Sequence, residues 1–439
     1  MVRSAWRAQA RLLAEACLAA AAFWAPWWLK WTNTPPFSAI YPLGFVLSIV
    51  LLLGLLAWAL SGLTGLRAAL RRPSASLMMA TLIAFVAWAV LSQGWAFAKL
   101  RQGGAAQGNS LQIALWVASA LCAISLASAR LRRWMLSALL LGLLFYGLIG
   151  AAQTAAQRDL GLQALGEFRL DPRQSGVSVV ESALGVRWLR PYSLTPHPNL
   201  FAGAVLAGLC AALALSLDER RRQRILGRAV WGLGLYLLLM SFSRGAWLAL
   251  GLSALILLPV LLRHADWRRR WLPLALISAV VGAVFMIVYQ PFVLSRFGDG
   301  QQTTEMRSIA DRLVYTKIAI HAIGSHPLQG VGAGNFPWYA ADYLWRYTDY
   351  DLRGDNVHNV ALLVTAELGL TGTALLGTAL LMALVTAYRL CWQQLEAARL
   401  ALLALALAYL VVGLFDHYPY ALLGYAWLWW ASLGLTSQP

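Results

Sequence analysis

Residues 226–262 read LGRAVWGLGLYLLLMSFSRGAWLALGLSALILLPVLL. Two apolar runs, 226–241 and 245–262, double back through Ser241-Phe242-Ser243-Arg244-Gly245. A helix needs about twenty mostly apolar residues to cross a hydrocarbon core, and this connection is too short to hold a folded domain. The pair reads as a membrane hairpin. Working outward, the pattern recurs at 13–30, 40–61, 76–94, 111–128, 134–153, 199–217, 271–290, 357–387, 398–415 and 421–436, making twelve candidate spans. Run 357–387 is over-long and contains Glu367-Leu368-Gly369-Leu370-Thr371-Gly372. It is expected either as one tilted, kinked helix or as a short interfacial helix followed by a span. The expected fold is an all-α polytopic membrane protein, with no internal repeat and no separate soluble domain.

Composition agrees with this reading. Of 439 residues, 60% are hydrophobic and 12% charged, where a soluble domain carries roughly 25% charged residues. Trp27, Trp28, Trp31, Trp231, Trp271, Trp429 and Trp430 sit at the ends of apolar runs, where an amphipathic ring prefers the headgroup region. The net charge of +17 would suggest nucleic acid in a soluble protein. Here it sorts by side of the membrane. The short connections 62–75, 129–133, 218–225, 263–270 and 388–397 carry clusters such as Arg130-Leu131-Arg132-Arg133 and Trp267-Arg268-Arg269-Arg270. Assigning them and the N-terminus to the cytoplasm puts 20 Lys and Arg with 5 acids inside, and 15 with 13 acids outside. The basic excess is then topological, and both termini are cytoplasmic. The basic N-terminus runs into the first apolar run without an obvious cleavage site, so an uncleaved span is expected. Cys17, Cys122, Cys210 and Cys391 form no CxxC and none is placed like a metal ligand.

The chain therefore divides into five segments: spans one to five (1–153), a large outer loop (154–198), spans six to nine (199–290), a second large outer loop (291–356) and the last three spans (357–439). The two loops are amphiphilic and are expected to be partly ordered, as short surface helices. Long ordered loops between spans are where function usually resides.

The outer face carries the polar residues with chemical potential. The first loop ends Arg187-Trp188-Leu189-Arg190-Pro191-Tyr192, then reaches His197-Pro198-Asn199. Arg244 stands between two apolar runs with almost no loop around it. An arginine at membrane depth is costly, while its planar fork suits phosphate. Arg244 and Arg190 are candidate phosphate ligands, with snorkelling helix-end arginines as the plain alternative. The second loop holds Arg312 and ends Asp355-Asn356-Val357-His358-Asn359. His358, beside acidic and amide groups, is placed to act as a general base near neutral pH. The plain alternative is a capping cluster in which Asp355 or Asn356 caps and His358 packs. His197 and Asn199 mirror the arrangement, or simply form a Pro-rich helix start. No metal site emerges: His197, His326, His358 and His417 are scattered, and Asp349-Tyr350-Asp351 followed by Asp355 is the lone acidic grouping of the DxD kind. The Gly-rich run 330–334 lacks the Lys-Ser/Thr of a P-loop and reads as a turn.

The ordered set resembles the O-antigen ligase and polymerase superfamily. The resemblance rests on Arg190 with His197-Pro198-Asn199, on Ser243-Arg244-Gly245, on His326-Pro327-Leu328 through Gly330-Val331-Gly332-Ala333-Gly334-Asn335-Phe336, and on His358-Asn359 followed by Glu367-Leu368-Gly369-Leu370-Thr371-Gly372. It spans roughly residues 140–420 in order and spacing. It implies a multi-pass bacterial inner-membrane glycosyltransferase of the C-type, with no metal or other cofactor and an active site on the periplasmic side. The donor would be a glycan on undecaprenyl pyrophosphate. Ligases of the family pass it to lipid A–core, finishing lipopolysaccharide, while polymerases join it to another repeat unit. A branch that glycosylates proteins usually carries a larger C-terminal soluble domain, and the short C-terminal segment here argues against it.

On this resemblance His358 is expected to deprotonate the acceptor hydroxyl, while Arg190 and Arg244, helped by Arg187 and Arg312, hold the pyrophosphate. Asp355 or Asn359 would orient the His358 ring. Tyr192, His197 and Asn199 would shape the pocket. A lipid-linked glycan transporter is the rival from another class, since twelve spans suit one. Transporters, however, tend to show repeats and mid-membrane polar residues.

Overall fold

The computed structural model describes residues 2–27, 45–97, 103–182, 184–263, 265–297, 303–349, 352 and 354–438. Side chains at 2–3, 45, 103–108, 296–297 and 303–308 lie outside that description. The N-terminal part holds α1 (Val2–Trp24), α2 (Phe45–Leu60), α3 (Leu66–Leu70), α4 (Pro73–Leu91), α5 (Gly103–Ser125) and α6 (Ala129–Ala156). A hairpin, β1 (Val179–Glu181) and β2 (Arg187–Leu189), precedes α7 (Pro198–Ser216), α8 (Arg221–Met240), α9 (Arg244–Leu262) and α10 (Ala265–Val288). Then come α11 (Gln290–Phe297), α12 (Thr303–Ser325), α13 (Phe336–Tyr343), α14 (Val360–Gln393), α15 (Ala397–Val412), α16 (Tyr418–Ala421) and α17 (Leu423–Thr436).

The chain is an all-α membrane protein apart from the hairpin. A helix falls on each of the twelve apolar runs. Among the described residues six helices are long and apolar enough to cross a membrane: those that begin at Pro73, Ala129, Pro198, Arg244, Ala265 and Val360. Helices α7, α15 and α17 are almost wholly enclosed, whereas α10 turns most of its surface outward. The centre suits this role because α7 is built of Gly and Ala. A Cβ added at Gly208 would stand 2.4 Å from the Leu143 Cβ, so the backbones meet as small-residue membrane interfaces do.

Three expectations change. Trp429 and Trp430 are core residues, not headgroup anchors: Trp430 stacks on Trp116 at 5.6 Å, and Trp429 donates to the Ala406 carbonyl at 3.0 Å. Trp231 is also buried and donates to Ser278 Oγ at 2.9 Å. For Trp231 and Trp429 an acceptor in the core offsets the desolvation of the indole N–H, and sequence position at a run's end cannot show that acceptor. Trp28 and Trp31 lie outside the described residues. The first loop contains a β-hairpin rather than short helices alone, with Val179, Val180 and Glu181 pairing Leu189, Trp188 and Arg187. The second loop is largely helix, and α12 within it runs for 23 residues.

The over-long run is one kinked helix. In α14 Gly369 leaves helical geometry at φ 67°, ψ −174°. The Gly-rich loop answers the break: Leu370 N–H donates to the Pro327 carbonyl at 2.8 Å, while Val331 and Gly332 N–H donate to the carbonyls of Ala366 and Glu367 at 2.9 and 2.8 Å. A Cβ at Gly330 would fall 2.3 Å from the Glu367 carbonyl, so only glycine permits this approach. Docking of 330–334 on the kink seats the start of α14, and so His358.

The chain ends of the bundle differ in chemistry. At one end Arg132 in α6 pairs with Glu396 at 2.8 Å, and Arg130 with Glu15 at 2.6 Å. These basic connections, far apart in sequence, thus share one end. The polar residues considered next share the other.

Candidate active site

The N-termini of α7, α9 and α14 and the turn between α15 and α16 converge on a cavity of about 920 Å³. Its lining includes Arg187, Arg190, His197, Asn199, Arg244, Arg312, Asp355 and His358, and also Asp416 and His417. Eight of the ten expected site residues therefore face one hollow. Tyr192 and Asn359 stand behind it.

Arg190 is the buried cation, only 5% exposed. Its Nε donates to the Ser241 carbonyl at 2.6 Å, Nη1 to Ser178 Oγ at 2.7 Å and Nη2 to Asn199 Oδ1 at 2.9 Å. A planar fork with several donors can hold three such acceptors in different directions. The backbone on either side of it is pinned by two glutamines of the α6 C-terminal end. Gln157 Oε1 accepts from Leu189 N–H at 2.8 Å, and Gln153 Oε1 accepts from Tyr192 and Ser193 N–H at 3.2 and 2.6 Å. Gln153 in turn donates to Glu167, whose carboxylate also accepts from Leu160 and Leu162 N–H. One buried amide thus organises the first loop. Tyr192 belongs to the same scaffold, its hydroxyl accepting from Ser178 N–H at 2.6 Å.

Arg244 corrects an expectation. The flanking turn residues Ser241, Phe242 and Ser243 are buried, yet Arg244 itself is exposed, because the turn opens on the cavity rather than on lipid. Phe242 adopts φ 49° and packs on Phe285 at 5.5 Å, which fixes the turn. A left-handed non-glycine residue stores strain and is found preferentially at functional sites. Arg244 opens α9, where the helix dipole is positive. A cation there is unfavourable unless an anion joins it.

His358 lies just before α14. Its pKa falls to about 4, chiefly through burial, with His417 and Arg312 adding to the drop against the opposing pull of Asp416 and Asp355. The imidazole is therefore neutral at neutral pH, with a lone pair to accept a proton. Asn359 does not orient it. Asn359 is the N-cap of α14, its Oδ1 accepting from Leu362 N–H at 2.9 Å while Nδ2 donates to the Leu414 carbonyl at 3.1 Å. Asp355 is exposed and accepts from Asn356 N–H. His197 caps α7, with Nδ1 accepting from Asn199 N–H at 3.1 Å.

The carboxylate near His358 is Asp416, in the turn between α15 and α16, to which the sequence alone assigned no role. Asn199 Nδ2 donates to Asp416 Oδ2 at 3.1 Å, and His417 Nδ1 lies 3.5 Å from Asp416 Oδ1. The His358 and His417 rings meet edge to face at 5.2 Å. Burial would raise the Asp416 pKa, but His417, His358 and Arg312 outweigh it and hold the group ionised below its usual range. A chain of polar contacts thus runs from Ser178 through Arg190, Asn199 and Asp416 to the two histidines. His358, Asp416 and His417 also offer ligand atoms within 4.8 Å of one another, a grouping that spacing along the chain concealed. Arg190, Arg244 and Arg312 line the same cavity, and their charge opposes a cation there.

Fold and site together define a multi-pass helical membrane protein with a cationic cavity and a neutral histidine at one end of its bundle. Residues 229–377 match the family model described as O-antigen ligase. Over that part of the chain the protein is similar to the O-antigen ligase family, the same superfamily that its outer-face motifs resemble. The matched region carries Arg244, Arg312 and His358, while Arg190, Asn199 and Asp416 come to the site from outside it. No curated protein matches the chain.

Proposed function

We propose that this protein is a metal-independent, inverting glycosyltransferase acting at the periplasmic face of the bacterial inner membrane, and that it moves O-antigen glycan from undecaprenyl pyrophosphate to lipid A–core. The single observation that carries this reading is the convergence of neutral His358 with Arg190, Arg244 and Arg312 on one cavity. The donor pyrophosphate sits against Arg244 and Arg312, backed by Arg190, and these charges stabilise the leaving group as the glycosidic bond breaks. His358 takes the proton of the acceptor hydroxyl as that oxygen attacks the anomeric carbon. One displacement inverts the configuration. Asp416, rather than Asp355 or Asn359, stabilises the imidazolium that forms, and Asn199 couples it to Arg190.

Repeat-unit polymerase needs the same donor site and differs only in acceptor. The test is product analysis with purified protein, lipid-linked glycan donor and lipid A–core. Glycan on lipid A–core supports ligase. Lengthened donor with no transfer to lipid A–core identifies a polymerase. Movement of intact donor across a vesicle without either product identifies a transporter.

A further inference from the structure

The cavity carries more cationic groups than one pyrophosphate requires. Arg173 and Arg187 line its outer mouth, on the loop before β1 and at the start of β2. Arg187 and Arg190 are three residues apart along an extended segment, and about 3.3 Å per residue puts their backbones roughly 10 Å apart. A single pyrophosphate seated beside Arg190 leaves the mouth unfilled. Arg187 is positioned for a ligand: Nη1 donates to the Arg173 carbonyl at 3.4 Å, while its buried Nε has no hydrogen-bond partner among the described residues. A buried donor left unsatisfied is unfavourable until something accepts from it. Glu181 stands opposite Arg187 across the hairpin and lines the same wall, so it offsets one of the two charges and leaves a net positive mouth.

We propose that Arg173 and Arg187 form a second anion site, which holds a phosphate on the acceptor glycolipid about one or two sugar units from the hydroxyl that reacts. This rests on the glycosyltransferase reading and adds to it a requirement on the acceptor: it must be phosphorylated.

The test uses the full-length protein in nanodiscs, with lipid A–core as isolated and after phosphatase treatment. Arg173→Ala is the variant, because that side chain is exposed and outside the catalytic machinery. Arg173→Ala should raise the acceptor KM about five- to ten-fold, more at low salt than at high salt, as a rim charge does. Donor KM and kcat at saturating acceptor should not change. Phosphatase treatment should raise the wild-type acceptor KM similarly and abolish the difference between wild type and variant. A raised donor KM, or equal effects on treated and untreated acceptor, would overturn the site. Reproduction of the KM effect by replacing anionic with zwitterionic disc lipid would overturn it in favour of headgroup binding. Equilibrium binding of the phosphorylated acceptor decides the site even without turnover: equal affinity for wild type and Arg173→Ala refutes it. Absence of any transfer by wild type would instead refute the functional reading.

Discussion

Alanine at position 244 removes a guanidinium from the cavity wall. The side chain is exposed and opens a helix, where alanine is well tolerated and a cation is disfavoured. The contacts an exposed arginine makes are worth at most about 1 kcal/mol, so the melting temperature should fall by no more than about 2–4 °C. The effect on transfer should be much larger. A unit charge about 4 Å from a phosphate oxygen is worth ~4 kcal/mol at an effective dielectric of ~20 and ~1 kcal/mol in bulk water. Arg244 faces a water-accessible cavity, so an intermediate value applies, and Arg190 and Arg312 remain to hold part of the charge. The expected loss is about 10²-fold in kcat, the low end for removal of one preorganised donor. Arg244→Lys should recover little, because an ammonium cannot reproduce a bidentate fork. The assay is glycan transfer by purified, detergent-solubilised protein, with a thermal-shift measurement on the same sample. Transfer within two-fold of wild type would refute the phosphate-ligand role. A large fall in melting temperature in parallel with activity would show that Arg244 supports the fold instead.

Arg190→Lys should behave differently: one ammonium cannot reach Ser241, Ser178 and Asn199 together. Loss of even one charge-assisted bond there should lower stability by about 1.5–3 kcal/mol, visible as a thermal shift alongside lost transfer. The pH profile of kcat/KM should keep its activity down to about pH 4, where His358 gains a proton and loses its basic lone pair; an acid limb near the ordinary histidine value would contradict a depressed pKa. Gly330→Ala places a Cβ 2.3 Å from the Glu367 carbonyl at φ +68°. It should destabilise the protein by about 1–3 kcal/mol, and wild-type melting would show that the loop does not dock on the α14 kink.

Much of the fold was legible because a membrane leaves little choice. Apolar runs of spanning length become helices, and each of the twelve contains one. Buried tryptophans were misread because a run's end in sequence need not be a helix end at the interface; Trp429 and Trp430 lie within α17. The hairpin left a faint signal, Val179-Val180 and Arg187-Trp188-Leu189 around Gly185, overshadowed by the helical context. Within the site, Arg190, Arg244 and His358 stood out as residue types that are costly near a membrane. Asp416 did not, since its link to Asn199 spans 217 positions and only tertiary packing creates it. Asn359 looked like a partner that orients His358 by adjacency, yet helix capping explains its hydrogen bonds. Arg244 looked buried because its neighbours are, and the cavity that exposes it is invisible in one dimension.

The central claim is that His358 and an arginine cradle perform glycan transfer without a metal. It is tested most directly by the purified transfer reaction in excess chelator, run with wild type and with His358→Ala of matched melting temperature. The account predicts full wild-type product and a loss of about 10²–10⁴-fold in the variant. Strict dependence on Mg²⁺ or Mn²⁺, or wild-type turnover by His358→Ala, would contradict it.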